Sequence, residues 1–521
     1  MTTTPRRFPA FQLIHIVERL GNLLPHPVTL FVLMSAVVLA GSAVASWLGV
    51  AVADPRPAAG GDVPPMIEVV NLLNAEGLTR ILTAMVPNFT GFAPLGTVLV
   101  ALLGVGVAEK CGLIEACMRR LVLAAPRRWV SPAVIFAAVM SNTAGELGYV
   151  VLIPLAAIIF QSCGRHPLAG LAAAFAGVSG GYSANLMLGT VDPLLAGITQ
   201  ASAQLVAPDY SVSAAANWYF MAASTLMITL VGSWVTERVV EPALGPWSSE
   251  QAPVPHGDDR DASRAARETR GLMAAGAVFL VCLAAVVAAV WVPGSPLRDA
   301  QGELGAKAPL YGAVVALIFL CFLLPALTYG RVTGTMRSDR DVIEAMSSAM
   351  TSMGPYIVLV FFAAQFIAWF NWSNLGTILA VTGAQFLHVL DLPAPALFAG
   401  FILVCAVLNL MIGSASAQWA LTAPVFVPML MLVGYAPEVI QGAYRIGDSV
   451  TNLITPMMSY FGLIVAVAAR YRKDIGVGTL MSMMLPYSVA FGIIWSAMFC
   501  LWVFALGWPV GPGSETYFQG S

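Results

Sequence analysis

Two long apolar stretches, one in each half of the sequence, break in the middle into small and polar residues and then resume. The first, WVSPAVIFAAVMSNTAGELGYVVLIPLAAIIF, runs from Trp129 to Phe160. The second, LPAPALFAGFILVCAVLNLMIGSASAQWALTAPVFVPMLMLV, runs from Leu392 to Val433. A shift of 270 positions lays Tyr149 on Trp419 and Pro154 on Pro424. Irregular backbone in hydrocarbon leaves N–H and C=O groups without partners, so such breaks persist only against protein or a water-filled cavity. Paired breaks in corresponding places of two halves point to the midplane binding site of a secondary transporter.

Composition supports that reading. Hydrophobic residues make up 58% of the 521 positions and charged residues 10%, against about 25% charged in a soluble domain. A chain this apolar is expected to be an all-α, polytopic inner-membrane protein. A span needs about 20 apolar residues, and nine are expected, at 28–50, 83–110, 168–200, 217–235, 272–293, 309–329, 343–370, 440–469 and 478–507. The positive-inside rule orients them. Arg6, Arg7 and Arg19 place the N-terminus in the cytoplasm. Lys110, Arg119, Arg120, Arg127 and Arg128, then the arginines from Arg260 to Arg270, then Arg331, Arg337 and Arg340, then Arg470 and Lys473 mark further cytoplasmic loops. Nine spans and two oppositely inserted re-entrant hairpins satisfy these clusters, with the C-terminus outside.

Opposite insertion makes the halves inverted repeats. The expected divisions are a cytoplasmic N-terminus (1–27), a first repeat (28–235) with hairpin 129–160, a cytoplasmic linker (236–271), and a second repeat (272–512) with hairpin 392–433. Residues 513–521, GSETYFQGS, look like a protease-tag remnant from expression and are expected to lie outside the fold. Basic and acidic residues interleave in the linker, which disfavours nucleic-acid binding. The seven cysteines show no metal-ligand spacing and read as small buried hydrophobes. The spans at 168–200 and 440–469 would measure about 45–50 Å as straight helices, well beyond a core of about 30 Å. Both contain breakers, Gly180-Gly181 and Asp192-Pro193 in one, Gly447 and Pro456 in the other, and Ser-Ala-Asn-Leu at 183–186 is echoed by Val-Thr-Asn-Leu 267 positions later.

Ionisable residues inside spans carry a functional hypothesis by default. Glu146, Asp192, Arg445 and Asp448 stand out. Arg445 and Asp448, three apart, share a helix face; they form either a self-neutralising structural pair or a planar fork for a substrate carboxylate beside a cation or proton site. A kink at Asp192-Pro193 would free carbonyl oxygens, which with the carboxylate suit sodium; otherwise Asp192 is a solvated surface acid. Ser141, Asn142 and Thr143 line one hairpin tip, Ser414 and Ser416 the other. Trp419 either stacks on a substrate ring or packs. Asn185 and Asn452 offer amide oxygens at symmetric places, and Pro456 keeps its helix broken.

The stretches SNTAGELGYVVLIP (141–154), GGYSANLMLGTVDPLLAGIT (180–199), GSASAQWALTAPVFVP (413–428) and YRIGDSVTNLITPMMSYFGLI (444–464) resemble the p-aminobenzoyl-glutamate transporter (AbgT) family, and the likeness extends over nearly the whole chain. The resemblance implies a homodimer with an inward bowl-like cavity and an ion-coupled carrier of p-aminobenzoyl-glutamate or related antimetabolites, some members being implicated in sulfonamide efflux. It implies functional roles for Asp192, Ser416, Trp419, Arg445, Asp448 and Pro456. Arg445 would hold a glutamate carboxylate, Trp419 the benzoyl ring, and Asp192 and Asp448 sodium or a proton, with Asn142 and Asn185 assigned to ion coupling and Ser416 and Asn452 to substrate. No cofactor other than the coupling ion is expected.

A sodium-coupled dicarboxylate symporter is the competing reading, because such carriers place a Ser-Asn-Thr tripeptide at their hairpin tips. They repeat it in the second hairpin, whereas that tip here reads Gly413-Ser414-Ala415-Ser416. An intramembrane enzyme is disfavoured: the chain has no HExxH, no GxSxG and no histidine beside a candidate nucleophile. A passive channel would line a continuous pore rather than break four helices at one depth.

Overall fold

Apolar runs in this chain become helices, and glycine, proline and polar clusters decide where each one stops. The computed structural model describes residues 27–54, 65–144, 148–247, 262–292, 294–298, 308–455, 458, 460–473 and 475–518. The first half contains α1 (Pro27–Trp47), α2 (Ala75–Thr90), α3 (Ala93–Lys110), α4 (Leu113–Leu123), α5 (Val130–Ser141), α6 (Ile153–Ser162), α7 (Pro167–Phe175), α8 (Val191–Ala203) and α9 (Trp218–Val235). Between α1 and α2, β1 (Ala51–Ala53) pairs antiparallel with β2 (Met66–Glu68), Val52 opposite Ile67. The second half contains α10 (Ala262–Trp291), α11 (Pro309–Thr333), α12 (Asp339–Ser352), α13 (Gly354–Trp372), α14 (Leu375–Leu390), α15 (Ala394–Met411), α16 (Ala415–Val433), α17 (Pro437–Thr451), α18 (Phe461–Ala469) and α19 (Val477–Cys500).

Nine helices among the described residues are long and apolar enough to cross a membrane. They are not the expected nine. The spans read at 168–200 and 440–469 are each split into two short helices, while both arms of the second hairpin, α15 and α16, meet the length criterion. The first hairpin differs: α5 has 12 residues and α6 has 10, or about 18 and 15 Å. The amphipathic stretches expected before each hairpin form α4 and α14.

The two splits have separate causes. After α7 the chain widens into a π-helical turn over Ala176–Gly180 and then leaves helical geometry until Val191. A Cβ on Gly180 would stand 2.8 Å from Leu453 Cδ1, and one on Gly181 would stand 2.6 Å from the Gly177 carbonyl oxygen. Asp192-Pro193 does not kink a helix as expected; it begins one. Asp192 Oδ2 accepts the Gly189 N–H at 2.7 Å, and Pro193 falls in the first turn of α8, where its missing N–H leaves no bond unmade. Gly447 is no breaker either: it lies inside α17. There a Cβ would stand 2.6 Å from the Ile402 carbonyl oxygen and 2.7 Å from Cys405 Cβ, so glycine lets α17 press onto α15. The chain leaves helix after Thr451 and resumes at Phe461; Pro456 lies outside the described residues, as do Glu146, residues 1–26 and 248–261.

Packing between the halves is reciprocal. α1 packs on α13 and α11 on α3, while α2 packs on α13 and α12 on α3. At the centre α8 touches α3, α16 and α17, and all fifteen residues of α17 are buried. Residues 513–518, read from the sequence as part of an expression remnant, are seated on the fold. Ala436 N–H donates to the Thr516 carbonyl, Phe518 N–H to that of Gly434, and Ser514 Oγ to that of Ala216. The contact at Gly447 gives a direct test. Gly447→Ala is expected to force α15 and α17 apart at a cost of about 1–3 kcal/mol, read as a lower melting temperature in detergent, whereas Gly400→Ala, with open space at its Cβ, is expected to melt like the parent.

Candidate transport site

The sequence of α17, PEVIQGAYRIGDSVT, places Gln441, Arg445 and Asp448 at the i, i+4, i+7 spacing of a single helix face. In a fully buried helix each of these groups needs a partner from a neighbouring element. Arg445 finds its partners in the first half. Nη1 donates to Asp192 Oδ1 at 2.8 Å and Nη2 to the Ser183 carbonyl at 2.8 Å. The side chains of Arg445 and Asp192 are 2% and 7% exposed, so Asp192 is not a solvated surface acid. Ser449 Oγ accepts the Ser183 N–H at 3.2 Å and donates to the Arg445 carbonyl at 2.7 Å. The non-helical segment after α7 is thus wrapped around Arg445.

The pair expected between Arg445 and Asp448 does not form as a contact. The guanidinium reaches across to α8 instead, and both Asp448 carboxylate oxygens, together with Arg445 Nε, are buried without a hydrogen-bond partner among the described residues. Asp192 accepts from Arg445 through one oxygen and from the Gly189 N–H through the other. Asn409 in α15, which sequence reasoning passed over, donates from Nδ2 toward the Asp448 carbonyl (2.7 Å), Asn452 Oδ1 (2.8 Å) and Thr451 Oγ1 (3.0 Å). Its Oδ1 is buried and unpartnered. A lone asparagine in the apolar run LVCAVLNLMIG was the available signal.

Asn142 occupies the matching place in the first half. Its Nδ2 donates to the Gly181 carbonyl at 3.2 Å, and its Oδ1 is likewise buried without a partner. Asn185 is used locally, its Oδ1 accepting the Met187 N–H at 3.3 Å. Ser416 is half-buried, its hydroxyl 3.4 Å from that of Ser414, the residue that caps α16. Trp419 shows no exposed surface. Its ring stacks on Tyr444, centroids 4.2 Å apart, and its Nε1 donates to Thr199 Oγ1 at 2.8 Å. Tyr444 in turn donates to the Ala415 carbonyl at 2.6 Å. The first hairpin has its own stacked pair, Tyr149 on Tyr460 at 4.9 Å.

The electrostatics of this arrangement are unbalanced. One guanidinium faces two carboxylates in a buried volume, so the cluster carries a net negative charge when all three groups are ionised. Burying an uncompensated charge costs several kcal/mol, and a proton or a monovalent cation at Asp448 would remove the imbalance. Substrate carboxylate arriving at Arg445 would restore it. An anion site and a cation site that neutralise each other in this way are thermodynamically linked.

Comparison with known proteins identifies the family. The family model of the AbgT transporters matches residues 12–518. The p-aminobenzoyl-glutamate transport protein of Escherichia coli K12 is 37% identical over 513 residues, covering 98% of each chain. Among solved structures, MtrF of Neisseria gonorrhoeae, described as illuminating a class of antimetabolite efflux pumps, superposes with a TM-score of 0.90 at 57% identity, over 96% of this chain and 100% of that one. The YdaH transporter of Alcanivorax borkumensis, described as having an unusual topology, superposes with a TM-score of 0.85 at 43% identity, over 94% of this chain and 100% of that one. A chain matched over nearly its whole length in this way is a membrane transporter and not an enzyme: it belongs to the AbgT transporter family.

Proposed function

We propose that this chain is an ion-coupled secondary carrier of the bacterial inner membrane for p-aminobenzoyl-glutamate or a related folate-pathway compound. The observation that carries the reading is the buried imbalance around Arg445, one guanidinium between a paired Asp192 and an unpartnered Asp448. Arg445 keeps Nε free for a substrate carboxylate, and charge-assisted bonds of this kind are the strong ones. Asp448 takes sodium or a proton, with the free Oδ1 of Asn409 as a neighbouring oxygen. Support for Asp448 over Asp192 as the coupling carboxylate comes from the occupied oxygens of Asp192. Trp419 receives the aromatic ring once it parts from Tyr444, and Ser416 and Asn452 supply polar contacts. The same site would serve export of sulfonamides if the driving gradient were reversed; antimetabolite efflux is the activity class named for the MtrF relative.

In this reading the two halves are inverted repeats, and α5–α6 and α15–α16 are re-entrant hairpins entering from opposite faces, with the N-terminus inside and the C-terminus outside. The reciprocal packing supports it. So do the two amide bonds, Asn142 to the Gly181 carbonyl and Asn409 to the Asp448 carbonyl, each spanning 39 residues and lying 267 positions apart. The carrier acts as a homodimer; α10 leaves Leu280, Val281, Leu283 and Val287 exposed to lipid or a second copy.

Uptake of labelled p-aminobenzoyl-glutamate into proteoliposomes, with sodium and proton gradients imposed separately, tests the function. Accumulation under one gradient is expected; displacement of the label by succinate instead of an aromatic amide would favour the dicarboxylate reading. Arg445→Ala is expected to weaken substrate binding by about 2–5 kcal/mol, and unchanged affinity in equilibrium binding would remove Arg445 from the site. Asp448→Asn, neutral and similar in shape, is expected to bind substrate yet lose its response to the driving gradient; a retained response would move coupling elsewhere. Trp419→Leu is expected to lose the preference for p-aminobenzoyl-glutamate over the ring-less N-acetyl-glutamate in competition assays.

A further inference from the structure

The hydrogen bond on Trp419 belongs to a longer chain made only of neutral groups. Trp419 Nε1 donates to Thr199 Oγ1 at 2.8 Å, and Thr199 Oγ1 donates to Gln441 Oε1 at 2.6 Å. Gln441 Nε2 donates to Asn217 Oδ1 at 2.8 Å, and Asn217 Nδ2 to the Glu438 carbonyl at 2.7 Å. All of these side chains are buried. Both ends of the chain have a fixed sense, since an indole N–H only donates and a backbone carbonyl only accepts. The carbonyl orients the Asn217 amide, which orients that of Gln441, which presents its oxygen to Thr199. Residue 199 must therefore accept from Trp419 and donate to Gln441 at once, which a hydroxyl does and an aliphatic group of the same shape does not.

Position matters as much as chemistry. Thr199 follows Asp192 by seven residues, two turns along α8, and Gln441 precedes Arg445 by four on α17. The two helices thus meet through two rungs, the charged Asp192–Arg445 rung and the neutral Thr199–Gln441 rung, and α16 hangs its tryptophan on the neutral one. In the proposed reading a substrate carboxylate at Arg445 shares the guanidinium with Asp192, whereas the neutral rung has no such competitor.

We propose that Thr199 and Gln441 are positioning residues for Trp419, setting the indole at a fixed spacing from the Arg445 guanidinium so that ring and carboxylate of one substrate are read together. The inference rests on the reading that Trp419 meets the substrate ring. Trp419→Phe removes the indole bond alone, whereas Thr199→Val removes that bond and the one to Gln441. Trp419→Phe is expected to raise KM for p-aminobenzoyl-glutamate about tenfold, the equivalent of one buried hydrogen bond, and Thr199→Val by at least as much, while the inhibition constant of N-acetyl-glutamate stays unchanged in both. Thr199→Ser is expected to match the parent, and the Thr199→Val/Trp419→Phe double variant to be no worse than Thr199→Val alone, because the indole bond is already lost there. Should Thr199→Val fail to assemble, Trp419→Phe reads the same bond without altering α8. Additive effects in the double variant, or an unchanged KM ratio in the single ones, would overturn the proposal. If Trp419→Leu loses ring preference while Thr199→Val and Trp419→Phe keep it, the positioning role alone falls; if Trp419→Leu keeps it too, the ring assignment falls with it.

Discussion

A helix touched on no side by solvent, yet carrying Glu438, Gln441, Arg445, Asp448 and Ser449, sets the terms for everything around it. Each buried polar group without a partner costs roughly 1–3 kcal/mol, and a charge costs more. The neighbouring elements are shaped to meet that demand. The Tyr210 hydroxyl donates to the Glu438 carboxylate at 3.0 Å, Thr199 and Asn217 serve Gln441, and the opened backbone at Ser183 serves both Arg445 and Ser449. That backbone is available only because Gly180 and Gly181 end the preceding helix. The break after α7 therefore supplies to α17 a carbonyl and an N–H that an intact helix would have spent on itself. Against this background the carboxylate of Asp448 stands out, because both of its oxygens are buried without a hydrogen-bond partner among the described residues.

Much of this was legible in the order of the residues, for identifiable reasons. Apolar length finds helices, and most expected spans have a counterpart. Glycine pairs and paired polar interruptions find the breaks, because backbone in hydrocarbon cannot stay irregular without a compensating neighbour. Local spacing misled in particular places. Asp192-Pro193 and Gly447 read as breakers because proline and glycine usually are, but the first sits where a helix begins and the second where two helices touch. Arg445 and Asp448 read as a pair because they share a face. The actual partner of Arg445 is 253 residues earlier in the chain, a separation no local pattern encodes. Thr199, Gln441 and Asn409 carried no signal beyond being polar in apolar surroundings.

The two halves agree in their amides and differ in their charges. Asn142 and Asn409 make the same bond to the same kind of carbonyl, each with an amide oxygen left over. At the acceptor position, however, the first half has Gly181 where the second has Asp448, and Val178 stands where the 267-residue shift would put Arg445. The shared framework builds two similar amide junctions, and the side chains make only one of them ionic. Asp192 is the first half's contribution to that ionic junction.

The contact at Gly447 bears on how such a site changes access. With a backbone carbonyl of α15 lying where a Cβ would go, and with Asn409 bonded to the end of the same helix, α17 has no room to turn or slide against α15. Close-packed interiors transmit displacement and do not absorb it. Arg445 and Asp448 are in effect mounted on the second hairpin, and a movement that carries one carries the other. Toward α8, by contrast, α17 is joined through the Asp192–Arg445 and Thr199–Gln441 bonds between side chains. The charged rung between Asp192 and Arg445 joins α17 to the first half of the chain, so under the proposed function the guanidinium that would meet the cargo is also the one that ties the two halves together.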